Sequence, residues 1–285
     1  MAAPALPGRI VQRVAIQPVE SAVTTLDQLW GQFAFYGRII AGMPRGIKYR
    51  KEIAALIADI TIGAGALVVG AGMFFVITSI SFFTGTEVGL EGFQGLAQIG
   101  AEAFTGIISS LANTREITPL VAGVALAAQV GAGFTAQLGA MRVSEEIDAL
   151  EVMGVDSFVY LVTTRVWAAL LTMIPLYLAA LFVSFFATEL ISTRFFFLSV
   201  GTYNHYFRLF LPPIDVLFSF IKAMVFAVAV TLIHCYYGYY ASGGPAGVGV
   251  AAGRAIRVSI ITVVILNLLL SFAFFGGGTT ARLVG

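Results

Sequence analysis

Apolar residues run through this chain in long blocks separated by short charged stretches, and the blocks predict its elements. Residues 56–83 hold one charge, Asp59, in a run of 28. At about 1.5 Å per residue such a run exceeds the ~30 Å of bilayer hydrocarbon. Four more blocks read the same way: 118–139 and 166–188, both free of Asp, Glu, Lys and Arg; 214–240, which carries Lys222; and 258–275. Pro175 should bend the third. The expectation is an all-α integral membrane protein with five transmembrane helices. Residues 92–113 are apolar enough to span but contain Glu102, and a further crossing there would place the charged stretch after residue 139 outside. The parity therefore predicts an outer-side half-helix or re-entrant hairpin.

Three shorter stretches have other periods. Between residues 20 and 43, Val23, Leu26, Leu29, Trp30, Phe33 and Ile40 recur at helical spacing, which predicts an interfacial helix before the first span. Residues 189–213 are crowded with aromatics, the composition of an interfacial belt that could also meet an extracytoplasmic partner. Residues 143–154 place Val143, Ile147, Leu150 and Gly154 on one stripe, with Glu145, Asp148 and Glu151 opposite. Ser144 is the expected N-cap and Gly154 the expected stop. This short acidic helix must face water, either as an ordinary loop helix or as a docking helix for a soluble partner.

Small residues mark close packing. Gly63, Ala66 and Gly70 line one side of the first block. Gly123, Ala127, Gly131, Thr135 and Gly139 recur every fourth residue of the second, as a dimer seam or an intrachain contact. Arg115 and Glu116 fall at or below the outer membrane surface, where charges are costly and pair with one another or face a wet cavity. They read as a polar lining for a lipid headgroup, helped by the free N–H groups of a helix restart at Thr118-Pro119, or as a mutual ion pair. Lys222 would snorkel outward, pair with an acid such as Glu102 or Glu116, or meet an anionic lipid headgroup beside Arg115 and Glu116; pairing is the first expectation.

Composition agrees with the pattern. With 59% hydrophobic and 11% charged residues and a mean hydropathy of +0.93, the 285-residue chain has too little polar material to cover a soluble surface. The net charge of +1 carries no signal for nucleic acid. Cys235 stands alone in an apolar run, and His205 and His234 lack ligand spacing, so neither a disulfide framework nor a metal site is expected. Charge distribution orients the chain. Arg9, Arg13, Arg38, Arg45, Lys48, Arg50 and Lys51 precede the first span and join Arg142, Arg165, Arg254 and Arg257 on one side, against Arg194, Arg208 and Arg282 on the other. Eleven against three predicts a cytoplasmic N-terminus and an extracytoplasmic C-terminus. The glycine-rich residues 242–253 read as a loop without the Gly-Lys-Ser/Thr of a phosphate loop, so any ATP hydrolysis belongs to another chain.

The order Ala140-Met141-Arg142-Val143-Ser144-Glu145-Glu146-Ile147-Asp148-Ala149-Leu150-Glu151 closely resembles the EQIDAL signature of the MlaE/YrbE permeases, membrane subunits of lipid-moving ABC transporters that include the Mce systems of actinobacteria. The likeness extends over about residues 53–275 and includes Arg115-Glu116-Ile117-Thr118-Pro119 and Lys222-Ala223-Met224-Val225-Phe226. The resemblance implies a permease domain over 52–285 after a tail and interfacial helix over 1–51. It also implies an ATPase-coupling helix carried by Arg142, Glu145, Glu146, Ile147, Asp148, Ala149, Leu150 and Glu151. ATP and magnesium would belong to the partner ATPase. Other implied partners are a second permease subunit, extracytoplasmic lipid-binding proteins of the Mce/MlaD type, and a lipid of the fatty-acid, sterol or phospholipid kind, in the plasma (inner) membrane. Three positions depart from the family pattern: Glu146 replaces Gln, Gln129 replaces Arg, and Gln137 replaces Glu. An ion pair available to the family is thereby lost, which suggests one specialised half of a heterodimer. Two other classes compete. An ion-coupled transporter or scaffold would use Asp59, Glu102 and Glu116 for protons but leave the acidic helix unexplained. An intramembrane lipid enzyme would need a nucleophile with its base, and the sequence offers no Ser/His pair in adjacent spans and no Gly-x-Ser-x-Gly turn.

Overall fold

The computed structural model describes residues 30–62 and 72–276, and throughout them the regular structure is helical. Helix α1 covers 30–46 and passes through a tight turn, Ile47–Tyr49, into α2, Arg50–Ile62. Then come α3, Met73–Ala97; α4, Glu102–Val143; the short α5, Glu146–Val152; and α6, Val159–Phe195. Helix α7 is Val200–Leu209, α8 is Pro213–Tyr239 and α9 is Gly244–Phe275. Five of these, α3, α4, α6, α8 and α9, are long and apolar enough to cross a membrane. The all-α membrane architecture with five candidate spans is as the hydrophobic blocks predict.

Helix α6 is the spine. Along α3, Gly85 lies so close to it that an added Cβ would stand 2.4 Å from the Ser184 carbonyl oxygen. Thr188 of α6 donates to the Gly85 carbonyl at 2.8 Å and accepts from Asn113 Nδ2 of α4 at 3.0 Å, tying three helices at one side chain. At the other end of α6, Trp167 Nε1 donates to the Met43 carbonyl at 2.9 Å and Gly46 packs on Thr163. The buried Phe35 and Ile39 of α1 join Phe158, Tyr236 and Tyr239 in one cluster, whereas Trp30, Phe33 and Ile40 of the predicted stripe are 76%, 66% and 60% exposed, so α1 is anchored by a different side from the one the spacing marked. The earlier part of that predicted helix, 20–29, lies outside the described residues.

Several boundaries differ from the hydrophobic blocks. The first block, 56–83, does not form one helix. Leu56 belongs to α2, which ends at Ile62, and the long helix begins at Met73 and runs past Glu87 and Glu91 to Ala97. Those two acids sit on its exposed side, while Val88, Gly89 and Gly92 pack inward, so charge does not end the helix. Residues 92–113 are the bend of a helical hairpin around the turn 98–101, with Glu102 opening α4. Helices α4 and α6 overrun their predicted blocks at both ends; π-helical turns at Ser109–Ile117, Val159–Thr163 and Ile191–Phe195 lie in the overruns, and another, Ala127–Gly131, lies inside the α4 block. Pro175 lies within continuous α6. Residues 244–253, read as a loop, are the first turns of α9. Pro245 suits the start of a helix, and Val248 packs against Gly139, where a Cβ would stand 2.7 Å away.

That contact also decides the small-residue stripe on α4. Gly123 faces Phe226 and Val263, Gly131 faces the His234 ring, Thr135 Oγ1 is 2.8 Å from His234 Nδ1, and Gly139 faces Val248 and Ala241. With Ala127 buried between them, the stripe is an intrachain seam against α8 and α9. The other proposed stripe, Gly63, Ala66 and Gly70, lies outside the described residues. Cys235 is fully buried in the cluster beneath α1.

Candidate functional site

The polar groups of the spans converge where α4, α8 and α9 meet. Arg115 Nη2 and Nε lie 2.6 and 2.8 Å from Asp215 Oδ2. Lys222 Nζ donates to the Arg115 carbonyl at 2.5 Å and to Ser271 Oγ at 2.7 Å, and lies 3.4 Å from Glu116 Oε2. Glu116 in turn accepts from Asn267 Nδ2 at 2.6 Å and from Ser271 Oγ at 2.5 Å. The Phe275 ring covers both cations, 4.8 Å from Arg115 and 5.8 Å from Lys222.

Local sequence explains this geometry. Pro119 has no N–H, so neither the α-helical acceptor, the Arg115 carbonyl, nor the π-helical acceptor, the Thr114 carbonyl, receives its usual bond. Lys222 meets the first and Ser219 the second. The π-helical stretch Ser109–Ile117 thus offers two carbonyls to α8 and turns Arg115 and Glu116 toward it. No helix restarts at Thr118. Its N–H bonds the Asn113 carbonyl, and Thr118 and Pro119 are buried in continuous α4, so the expected free N–H groups are absent there. Burial grades the charges: Lys222 and Asp215 side chains are 0% and 1% exposed, Arg115 19%, and Glu116 44%. Glu116 is the member that faces outward from the cluster.

Lys222 therefore meets Glu116, as one of the two acids expected for it, while Arg115 and Glu116 pair across helices and not with each other. Sequence reading missed Asp215, Asn267, Ser271 and Ser219. A signal for them existed: Asp215, Ser219 and Lys222 stand at i, i+4 and i+7 of α8, and Asn267 and Ser271 at i and i+4 of α9, polar stripes on otherwise apolar helices.

At the far end of α4 lies α5. Glu145, with φ 60° in the left-handed region, breaks the helix between Val143 and Glu146. Ser144 is not the N-cap of α5; its hydroxyl bonds back to the Ala140 carbonyl at 3.0 Å and to Glu146 Oε1 at 3.0 Å, closing α4 instead. The stop at Gly154 is as expected: φ is 76°, and the Val155 N–H reaches the Leu150 carbonyl at 3.0 Å, a Schellman-like closure. Arg142 bridges Asp148 at 2.7 Å and ties the two helices. Of the predicted apolar stripe, Ile147 is fully buried and Leu150 partly, while Val143 is 39% exposed. Val152 and Met153, 89% and 68% exposed, stand bare beside Glu145, Glu146 and Glu151. Gln137 accepts from Arg165 Nη2 at 3.3 Å, and Gln129 lines a small cleft of about 160 Å³ with Asp59. Among the described residues there is no cluster of three or more His, Cys, Asp or Glu that could hold a metal.

Residues 62–273 match the model of the MlaE permease family. The chain belongs to that family. It is 36% identical over 200 residues, 70% of its own length and 77% of the relative's, to a probable ABC transporter permease protein of Rickettsia bellii. It is 28% identical over 212 residues to the intermembrane phospholipid transport system permease protein MlaE of Haemophilus influenzae, covering 74% of this chain and 81% of that one. A 31% identity over 197 residues relates it to the chloroplast protein trigalactosyldiacylglycerol 1 of Arabidopsis thaliana, of which it covers 56%. As a member of this permease family with five apolar helices, it is a multi-pass inner-membrane protein and an ABC transporter permease.

Proposed function

We propose that this chain is the permease half-site through which an ABC transporter moves a lipid, driven by a separate ATPase docked on α5. One observation carries the reading. Helix α4 holds the Arg115–Glu116 polar cluster near one end and α5 at the other, so a push on the exposed acidic helix is delivered along one continuous helix to the charged cluster. The ATPase would read Glu145, Glu146, Asp148 and Glu151 together with the bare Val152 and Met153, while Ile147 and Leu150 seat the helix. ATP and magnesium would be bound by that partner. The lipid headgroup would meet Glu116 and Arg115, the more exposed members of the cluster, with Lys222 and Asp215 holding them in place. A push that shifts α4 against α8 and α9 would change these contacts between states, which is what makes transport possible.

Phospholipid transport is what the Haemophilus relative is named for, and a lipid cargo of that broad kind is the reading for this chain. A second permease subunit completes the pathway, and a heterodimer suits the departures at Glu146, Gln129 and Gln137. An extracytoplasmic lipid-binding protein of the Mce/MlaD type would meet the outer hairpin and α7. The N-terminus is cytoplasmic and the C-terminus extracytoplasmic on the eleven-to-three charge count.

The test is affinity purification of the tagged chain from native membranes, wild type beside the double variant Glu146→Arg, Asp148→Arg, followed by mass spectrometry and an ATPase assay. An ATPase that accompanies the wild type and is lost from the folded variant supports docking on α5. If no ATPase accompanies either protein, the coupling reading fails and an ion-coupled mechanism takes its place.

A further inference from the structure

Away from the polar cluster, the end of α8 and the first turns of α9 enclose, with the start of α1, a cleft of about 550 Å³. That is the size of small-molecule sites, about 300–1,000 Å³. Its polar lining is Gln32, Tyr236, Tyr237, Tyr240, Ser242 and Arg254, with no acid among the lining residues. Arg254 is exposed and forms no ion pair among the described residues. Arg257, also exposed, follows three residues later on the same side of the helix. Beyond it that side turns apolar and stays bare: Ile261, Val264 and Leu268 are 60%, 51% and 57% exposed.

We propose that this cleft holds an anionic phospholipid of the cytoplasmic leaflet, a resident lipid and not the cargo. The phosphate would meet Arg254 and Arg257 and the tyrosine hydroxyls. Its acyl chains would lie along Ile261, Val264 and Leu268, a continuation that a soluble anion would leave unused. Tyrosines with a basic residue at the end of a span mark the headgroup level of a bilayer, and basic pockets between helices on the cytoplasmic side suit anionic headgroups. Lys222 and Tyr240 are about 27 Å apart along α8, so the two sites are separate. Val248, next to Gly247 of the cleft, presses on Gly139 of α4 shortly before α5, so the lipid would brace the corner on which the coupling helix stands.

This inference rests on the orientation read above. Its test uses the complex purified from native membranes in mild detergent, with bound lipid identified by native mass spectrometry and affinity measured in vesicles of phosphatidylglycerol or phosphatidylcholine. The wild type should retain phosphatidylglycerol and prefer it, and affinity should fall about fivefold for each of Arg254→Gln and Arg257→Gln. Tyr237→Phe, which keeps the charge and the ring, should give a smaller loss, and melting temperatures confirm that the variants are folded. Equal retention of the two lipids, or undiminished phosphatidylglycerol in the double arginine variant, overturns the site. Full displacement by inorganic phosphate overturns the lipid as occupant in favour of a soluble anion. A protein chain cross-linking to residue 254 in place of lipid overturns it in favour of a subunit seam. Retained phosphatidylglycerol without a co-purifying ATPase sinks the coupling reading and leaves this site standing; an ATPase without retained lipid does the reverse.

Discussion

Pro119 shows how one residue organises the polar cluster, because the two carbonyls it leaves without a donor are the two that Lys222 and Ser219 reach. The ion pairs around them are buried unequally, and the cost of breaking each follows its burial. Removing one partner of a buried pair strands the other charge, at about 3–5 kcal/mol. Asp215→Ala should therefore lower stability by about 3 kcal/mol, read as a fall in melting temperature in detergent, because Asp215 is 1% exposed and holds Arg115. A variant that melts like wild type would show that the pair contributes nothing. Lys222→Met is expected to act on function more than on fold, since it replaces a stem of similar length and frees Glu116 to move. Lipid transport in reconstituted vesicles should drop at least tenfold, about 1.4 kcal/mol, while the ATPase still co-purifies. Unchanged transport would remove Lys222 from the pathway. Arg115, Glu116 and Lys222 were legible in the sequence because a charge in an apolar block is conspicuous. Asp215 was not, since it stands at the second position of the predicted 214–240 span, just behind Pro212 and Pro213, where an acid reads as the edge of the block, and Asn267 and Ser271 carry no charge to draw notice.

Among the helices, glycine position decides how closely each pair packs. Two glycines of α3 make opposite cases. A Cβ on Gly85 would meet the Ser184 backbone at 2.4 Å, whereas around Gly95 nothing lies within 4 Å. Gly85→Ala should force α3 away from α6 and cost about 1–3 kcal/mol. Gly95→Ala should stabilise by about 0.4–1 kcal/mol through the unfolded chain. The measurement is a pair of thermal melts in one detergent, and shifts of the same sign would refute the close contact. Periodicity found these helices, but not their ends. The first block stops short of Glu87 and the last begins after Arg257, whereas a helix goes on wherever its inward side still packs, as α3 does past Glu87 and α9 does before Arg254. The turn at Glu145 was hidden for a different reason: a left-handed φ on glutamate has no sequence signal comparable to glycine's, whereas Gly154 announced the stop that closes α5.

For the molecule as a whole, helix length and charge asymmetry constrain how it sits in a membrane. The 42 residues of α4 extend about 63 Å at ~1.5 Å per residue, against about 40–45 Å for a bilayer with its headgroups. A helix of that length must tilt, project, or both. By the positive-inside rule the end with Arg142 beside α5 is expected on the cytoplasmic side, so the hairpin turn 98–101 should project outside, where Ile99 is 77% exposed. Family likeness and apolar length together establish a multi-pass permease but leave its sidedness to charge, which makes sidedness the property to measure. In a Cys235→Ser background, which removes the fully buried thiol, Ile99→Cys should react with a membrane-impermeant maleimide on intact cells. Met153→Cys, exposed at the end of α5, should react only after permeabilisation. The reversed pattern would place α5 outside, beyond any cytosolic ATPase, and with it would fall both the coupling role of the acidic helix and the cytoplasmic-leaflet site at Arg254. Labelling of both positions on intact cells would mean that α4 does not cross, and the hairpin and the acidic helix would then share one side of the membrane.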